Sequence, residues 1–176
     1  MVNPVVLVKT SMGDIRIELF ADKAPITVQN FLAYTDEKFY DGTIFHRVME
    51  NFVIQGGGFT PDLVKKPTKD AIQNEAANGI SNTRGTIAMA RLPEPHTATS
   101  QFFINVQDNQ NLDHFDNADR FGYCVFGTVI EGLDVVDRIR KVETGSKPPL
   151  PRDVPLQDVV ILSVAREEME AKTEQP

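Results

Sequence analysis

The apolar residues of this chain come in short runs, rich in β-branched and aromatic side chains and divided by polar loops: "VVLVKT" at 5–10, "DIRIELF" at 14–20, "GTIAMA" at 85–90, "QFFINV" at 101–106, "YCVFGTVI" at 123–130 and "DVVILSVA" at 158–165. Short strands at such spacing indicate an all-β sandwich or barrel. In the second run Ile15, Ile17 and Leu19 alternate with Arg16, Glu18 and Phe20, the period of a sheet with one face on a core and one in water. Ser11, Met12 and Gly13 separate it from the first run, which predicts a hairpin. Two segments change period. Val28, Phe31 and Leu32 share a stripe within 24–34, where Pro25 or Thr27 suits a helix entry, and Leu133, Val136 and Ile139 share one within 131–142. In the second, acids lie early, bases lie late, as the helix macrodipole favours, and Gly145 lies just beyond the end.

A length of 176 residues suggests one domain, drawn at 1–165, with a charged tail at 166–176. The net charge of −7 repels phosphate backbones and anionic membranes, so neither nucleic acid nor membrane is expected as a partner. One cysteine, Cys124, excludes an internal disulfide framework. The N-terminal residues show no secretory signal, and no apolar run approaches the roughly 18 residues of a membrane helix. The expectation is a soluble, cytoplasmic protein. Without heptads or a large exposed apolar element, a monomer is the default. The long polar stretch from Thr60 to Arg84 reads as a functional or well-packed irregular loop.

No cofactor motif is present: "GGG" at 56–58 is followed by Phe59, Thr60 and Pro61, so it matches neither phosphate-loop pattern. His46, His96 and His114 are far apart and lack metal-ligand spacing, so no metal is expected. Cys124 lies inside an apolar run, where a thiol is inert core. The informative stretch is "IFHRVMENFVIQGGGF", Ile44 to Phe59, which carries Arg47 and Gln55 amid strand-like apolar residues. An arginine in such company is either paired or met by something that arrives. Strand parity puts His46 inward, as a satisfied core histidine, and Arg47 outward. The same parity gathers Arg47, Val53 and Gln55 on one face, with Phe52 at the turn: a fork of donors and an amide among apolar walls, as in a ligand pocket.

"FHRVMENFVIQGGGF" closely resembles the cyclophilin signature, and "SQFFINV" at 100–106 resembles that family's second signature. The resemblance runs from about residue 3 to 165 and includes "GDIRIELFADKAPITVQNF", "NTRGTIAMAR" and "YCVFGTVIEGLDVVDRI", in wording closer to the bacterial cytoplasmic branch than to the eukaryotic one. It implies a mainly β fold, a closed eight-stranded antiparallel β-barrel capped by two α-helices, and peptidyl-prolyl cis/trans isomerase activity assisting protein folding. It further implies Arg47 as the catalytic donor and Gln55 as its helper on the rotating carbonyl. Phe52, Val53, Phe103, Leu112 and Tyr123 would seat the proline ring, and Ala90 and Arg91 would meet the substrate. Proline-containing peptides and flexible protein segments are the implied partners.

Several positions depart from the family's commonest pattern. Val53 replaces methionine, Tyr123 replaces histidine, and Arg91 replaces asparagine, with a side chain that can add a charge to a subsite. Asn111 stands where cyclosporin-sensitive members carry tryptophan, which implies weak cyclosporin binding; Phe115 nearby could fold back to supply that surface. A proline-binding chaperone or assembly module without catalysis is the alternative, though simple binding gives Arg47 no special partner. An esterase or peptidase built on Ser100 and His96 has no supporting pattern.

Overall fold

The computed structural model describes residues 3–167, and within them the chain forms ten strands and two α-helices. The predicted hairpin is β1 (Val5–Thr10) and β2 (Gly13–Leu19). Alternation is strict in β2: Ile15, Ile17 and Leu19 are fully buried, while Asp14 and Arg16 face water. Helix α1 (Pro25–Asp36) follows, then β3 (Arg47–Val48), β4 (Val53–Gly56), β5 (Thr86–Met89) and β6 (Phe102–Asn105). The chain closes with β7 (Val125–Glu131), α2 (Leu133–Arg140), β8 (Thr144–Lys147), β9 (Leu150–Pro155) and β10 (Ile161–Arg166).

Eight strands form one antiparallel sheet in the order β10-β1-β2-β7-β5-β6-β4-β3. The sheet curls but stays an open half-barrel, which corrects the expected closed barrel. The reason is visible at its ends. Strand β3 is two residues long and shares no ladder with β10; a single bridge between Ile44 and Val160 reaches across instead. The separate β8–β9 hairpin is absent from the sequence reading, and Gly145, expected as the stop after α2, belongs to β8. Strand β10 extends through Arg166, whose partner is Val6, so the boundary drawn at 165 falls inside a strand; the rest of the predicted tail, 168–176, lies outside the described residues.

The core is aromatic. Phe31 on α1 packs against Tyr40, Phe102 and Phe126 at centroid distances of 5.1–5.6 Å, and all four rings are essentially inaccessible to water. At its N-terminus α1 has no local side-chain cap. Glu75 supplies one from the 60–84 segment, accepting from the Thr27 N–H and hydroxyl, both at 2.7 Å. An anionic cap on unpaired N–H groups stabilises a helix by about 1 kcal/mol. The irregular loop therefore serves the fold, as its buried Asn74, Ala76 and Asn82 also indicate.

A smaller apolar cluster lies apart: Val53, Ala88, Phe103, Leu112 and Val125, with Phe52, Ala90 and Tyr123 packed around it. It floors the candidate site.

Candidate active site

Strand β3 pairs with β4 so that Arg47 lies opposite Gln55, and β4 pairs with β6 so that Gln55 lies opposite Phe103 and Val53 opposite Asn105. This register puts a guanidinium, an amide and an aromatic ring in one row. Arg47 Nη1 donates to Gln55 Oε1 at 3.3 Å, and Gln55 Nε2 donates to Gln101 Oε1 at 3.0 Å. The amide of Gln55 is thus fixed in orientation from behind. Gln101 was missed in the sequence, although it shares strand parity with Phe103 in "QFFINV".

Arg47, Phe52, Val53, Gln55, Ala90, Arg91, Phe103, Leu112 and Tyr123 line one cavity of about 190 Å³. The structure therefore brings all nine sequence-selected residues together. Phe103 and Tyr123 meet edge to face at 5.7 Å, leaving an aromatic corner beside Leu112 and Val53. A second hollow of about 270 Å³ adjoins it, sharing Gln55, Ala90 and Arg91 and continuing past Gln101 and Lys65. A larger cleft of about 540 Å³ lies elsewhere, beside Met12, Val142 and Leu156. It has no guanidinium and only Glu143 and Asp158 as ionisable groups, so size does not pick out the chemistry.

The polar floor was also missed. Asn105, fully buried on β6, donates to Asn82 Oδ1 at 3.1 Å and to Thr86 Oγ1 at 3.0 Å. Asn109 donates to Asn105 Oδ1 and to the Phe52 carbonyl, both at 2.9 Å, which ties the turn carrying Phe52 to the sheet. Asp113 Oδ1 accepts from the Asn82 backbone at 2.6 Å. Buried and satisfied amides of this kind fix a unique arrangement. Their sequence signal was three asparagines in or beside apolar runs.

Two expectations change. His46 is buried as parity requires, but its Nδ1 has no partner, so it is not a satisfied histidine; burial first, and the Arg47 charge second, push its pKa down to about 4. Arg91 lines the cavity with its guanidinium lying over the Tyr123 ring. Its side chain is 2 % exposed and pairs with Asp119, so it offers no free charge to a subsite. Phe115 stays 61 % exposed and outside the cavity. Among the described residues no three His, Cys, Asp or Glu side chains converge as a metal site, and no helix is long and apolar enough to cross a membrane.

The protein is thus a β-rich domain, a curled antiparallel sheet with two helices, that carries an arginine–glutamine pair at the rim of a small aromatic-walled cavity. The family model of the cyclophilin type peptidyl-prolyl cis-trans isomerases matches residues 5–166. Peptidyl-prolyl cis-trans isomerase B of Escherichia coli is 56 % identical over 156 residues, covering 88 % of this chain and 94 % of that protein. A peptidyl-prolyl cis-trans isomerase of Acinetobacter baylyi is 54 % identical over 164 residues, covering 92 % and 85 %. A crystal structure of a Cryptosporidium parvum cyclophilin type isomerase, determined in the presence of the dipeptide Ala-Pro, superposes with a TM-score of 0.78 at 27 % identity, covering 93 % of this chain and 98 % of that one. The chain belongs to the cyclophilin-type peptidyl-prolyl cis-trans isomerase family, and its activity is the isomerisation of peptidyl-prolyl bonds.

Proposed function

We propose that Arg47 accelerates rotation about X-Pro bonds by hydrogen-bonding the prolyl nitrogen in the twisted transition state. Amide resonance sets a barrier of about 20 kcal/mol. In either planar form the nitrogen lone pair is delocalised and accepts nothing. When the bond twists the pair localises, and a donor already aimed at it binds the transition state selectively. The observation that carries this reading is the Arg47–Gln55 pair at the rim of the aromatic seat. The guanidinium cannot lose its proton and its fork holds direction. Gln55 steadies the carbonyl side, and Phe52, Val53, Phe103, Leu112 and Tyr123 hold the proline ring, with Ala90 and Arg91 at the edge. No base, metal or cofactor takes part in this scheme.

The substrates under this reading are proline-containing peptides and flexible segments of folding proteins, met by a monomer in the cytoplasm, where the lone, buried Cys124 stays reduced. Cyclosporin binds weakly, because Asn111 offers little apolar surface. Separating rate from affinity tests the scheme: in exchange NMR with a short Ala-Pro peptide, Arg47→Ala should lose rate while peptide Kd stays within about twofold. Equal losses of both would make Arg47 an anchor for a bound segment, the role a non-catalytic module gives it.

A further inference from the structure

The buried side chain of Arg91 is fully bonded. Its Nε donates to the Gly122 carbonyl at 3.2 Å and its Nη2 to the same oxygen at 2.9 Å; Nη1 donates to the carbonyls of Leu92 at 3.0 Å and Pro93 at 3.2 Å; Nη2 also meets Asp119 Oδ2. A guanidinium has five N–H donors, and all of them are used. Its plane also lies over the Tyr123 ring, 4.3 Å from the centroid, where the cation is attracted to the π face.

Asp119 holds the other end. Its Oδ1 accepts from the N–H groups of Phe121 at 3.0 Å and Gly122 at 3.1 Å, forming the turn that delivers Gly122 to Arg91. Burial opposes ionisation of this carboxyl, but the bonds from Arg91, Gly122 and Phe121 prevail and hold its pKa below the ordinary carboxylate value. From that turn the chain passes directly into Tyr123, whose N–H donates to the Leu112 carbonyl at 2.9 Å. Tyr123 and Leu112 are two walls of the prolyl cavity.

We infer that Arg91 is a positioning residue for isomerisation: it rivets the 91–93 segment to the 119–122 turn and braces the Tyr123 ring, so that the Tyr123–Leu112 wall stands ready before substrate arrives. This rests on the reading of the cavity as the prolyl seat. The device needs an arginine. A lysine keeps the charge but has neither the planar face for Tyr123 nor a fork that reaches three carbonyls and a carboxylate at once. A wall used equally by the planar and the twisted bond contributes uniform binding, so its loss raises KM and leaves kcat alone.

The experiment uses the full chain carrying Arg91→Lys, Tyr123→Leu and both together, assayed on one Ala-Pro and one Glu-Pro peptide. Arg91→Lys should raise KM about tenfold for both peptides, with kcat within twofold. The double variant should be little worse than Tyr123→Leu alone, because the two act as one unit. With tyrosine rings labelled, the Tyr123 resonances should move in Arg91→Lys while those of Tyr34 and Tyr40, far off in the core, stay put. A wild-type KM in Arg91→Lys overturns the proposal. So does an effect confined to Glu-Pro, which would make Arg91 a direct reader of substrate charge. Asp119→Asn, which loosens the same clamp from the surface, should raise KM several-fold, and an unchanged KM there also overturns it. A wild-type KM in Tyr123→Leu would instead remove the prolyl seat itself from this cavity.

Discussion

On one side of the cavity Arg47, Val53, Gln55 and Phe103 stand on β3, β4 and β6, held by ladders that pair Arg47 with Gln55, Gln55 with Phe103 and Val53 with Asn105. On the other side Arg91, Leu112 and Tyr123 stand on stretches that belong to no strand, tied by the bonds of the Arg91 guanidinium to Asp119 and Gly122 and by one backbone bond from Tyr123 to Leu112. The ladder wall places its side chains through backbone bonds that survive any substitution except to proline. The loop wall depends on a few groups, each replaceable by mutation. The reading proposed above assigns to the first wall the chemistry that needs a fixed direction and to the second the fit to the substrate.

The largest effect should come from the ladder wall. Arg47→Ala is expected to leave the fold intact and to cut kcat/KM by roughly a hundredfold or more, the loss of one transition-state donor at about 3 kcal/mol. Arg47→Lys should recover only part, since charge survives but the fork does not. A coupled or exchange assay on an X-Pro peptide reads this out, and wild-type rates in Arg47→Ala would remove Arg47 from the mechanism.

The loop wall should respond in ligand affinity. Asn111 is exposed beside Leu112, and an indole there would add about 100 Å² of apolar contact against cyclosporin. At roughly 25 cal/mol per Å² that is about 2.5 kcal/mol, close to two orders of magnitude in Kd. Asn111→Trp should therefore bind cyclosporin far more tightly by calorimetry with little change in kcat/KM. Nanomolar binding by the unaltered chain would sink this expectation and point to exposed Phe115 as a substitute surface.

A smaller change aims at the turn behind Tyr123. Gly122 has φ +81°, and a Cβ there would sit 2.6 Å from the Asp113 carbonyl carbon and 2.7 Å from the His114 nitrogen. Both are backbone atoms, so neither can swing away. Gly122→Ala should cost about 1–2 kcal/mol for the left-handed conformation alone, lowering Tm by roughly 5 °C. KM should rise several-fold with kcat little changed. A fall in kcat of the size seen in Arg47→Ala would erase the distinction between the two walls.

Legibility in the sequence follows the same division. Parity alone grouped Arg47, Val53 and Gln55, because a strand turns every second side chain to one face and β3, β4 and β6 obey that rule. The loop wall entered only through resemblance to a family. Arg91 finds Asp119 and Gly122 at 28 and 31 residues' separation across an irregular turn, which no local period encodes. The cap that Glu75 puts on α1 is hidden for the same reason. The β8–β9 hairpin escaped because β8, "TGSK", is exposed or half-exposed throughout and shows no apolar alternation. The closed barrel was implied by the family resemblance alone, and nothing in the local pattern of 47–48 shows that β3 is too short to pair with β10.

The smallest effect on activity, and the one that separates catalysis from stability, concerns pH. The proposed scheme has no general acid or base, so kcat/KM should be nearly flat between about pH 6 and 8. A bell-shaped profile there would indicate a titrating participant that the scheme lacks, and not His46, whose pKa is pushed down to about 4. Stability should behave differently. His46 has its pKa lowered from 6.5 to about 4 in the folded chain, by burial first and by the Arg47 charge second. Below its unfolded value the unfolded chain takes up a proton that the folded chain refuses. The contribution is therefore complete above about pH 6.5 and is lost as pH falls towards 4, at up to about 1.4 kcal/mol per unit. Between pH 6.5 and 5 this residue should remove about 1.5 kcal/mol from the unfolding free energy. Urea unfolding of the wild type and of His46→Gln at both pH values isolates it, since the paired Asp119 and Asp137, whose pKa values are also lowered, contribute equally to both chains. If the two lose the same stability over that interval, the unpartnered Nδ1 is not the acid-sensitive point behind the ladder wall.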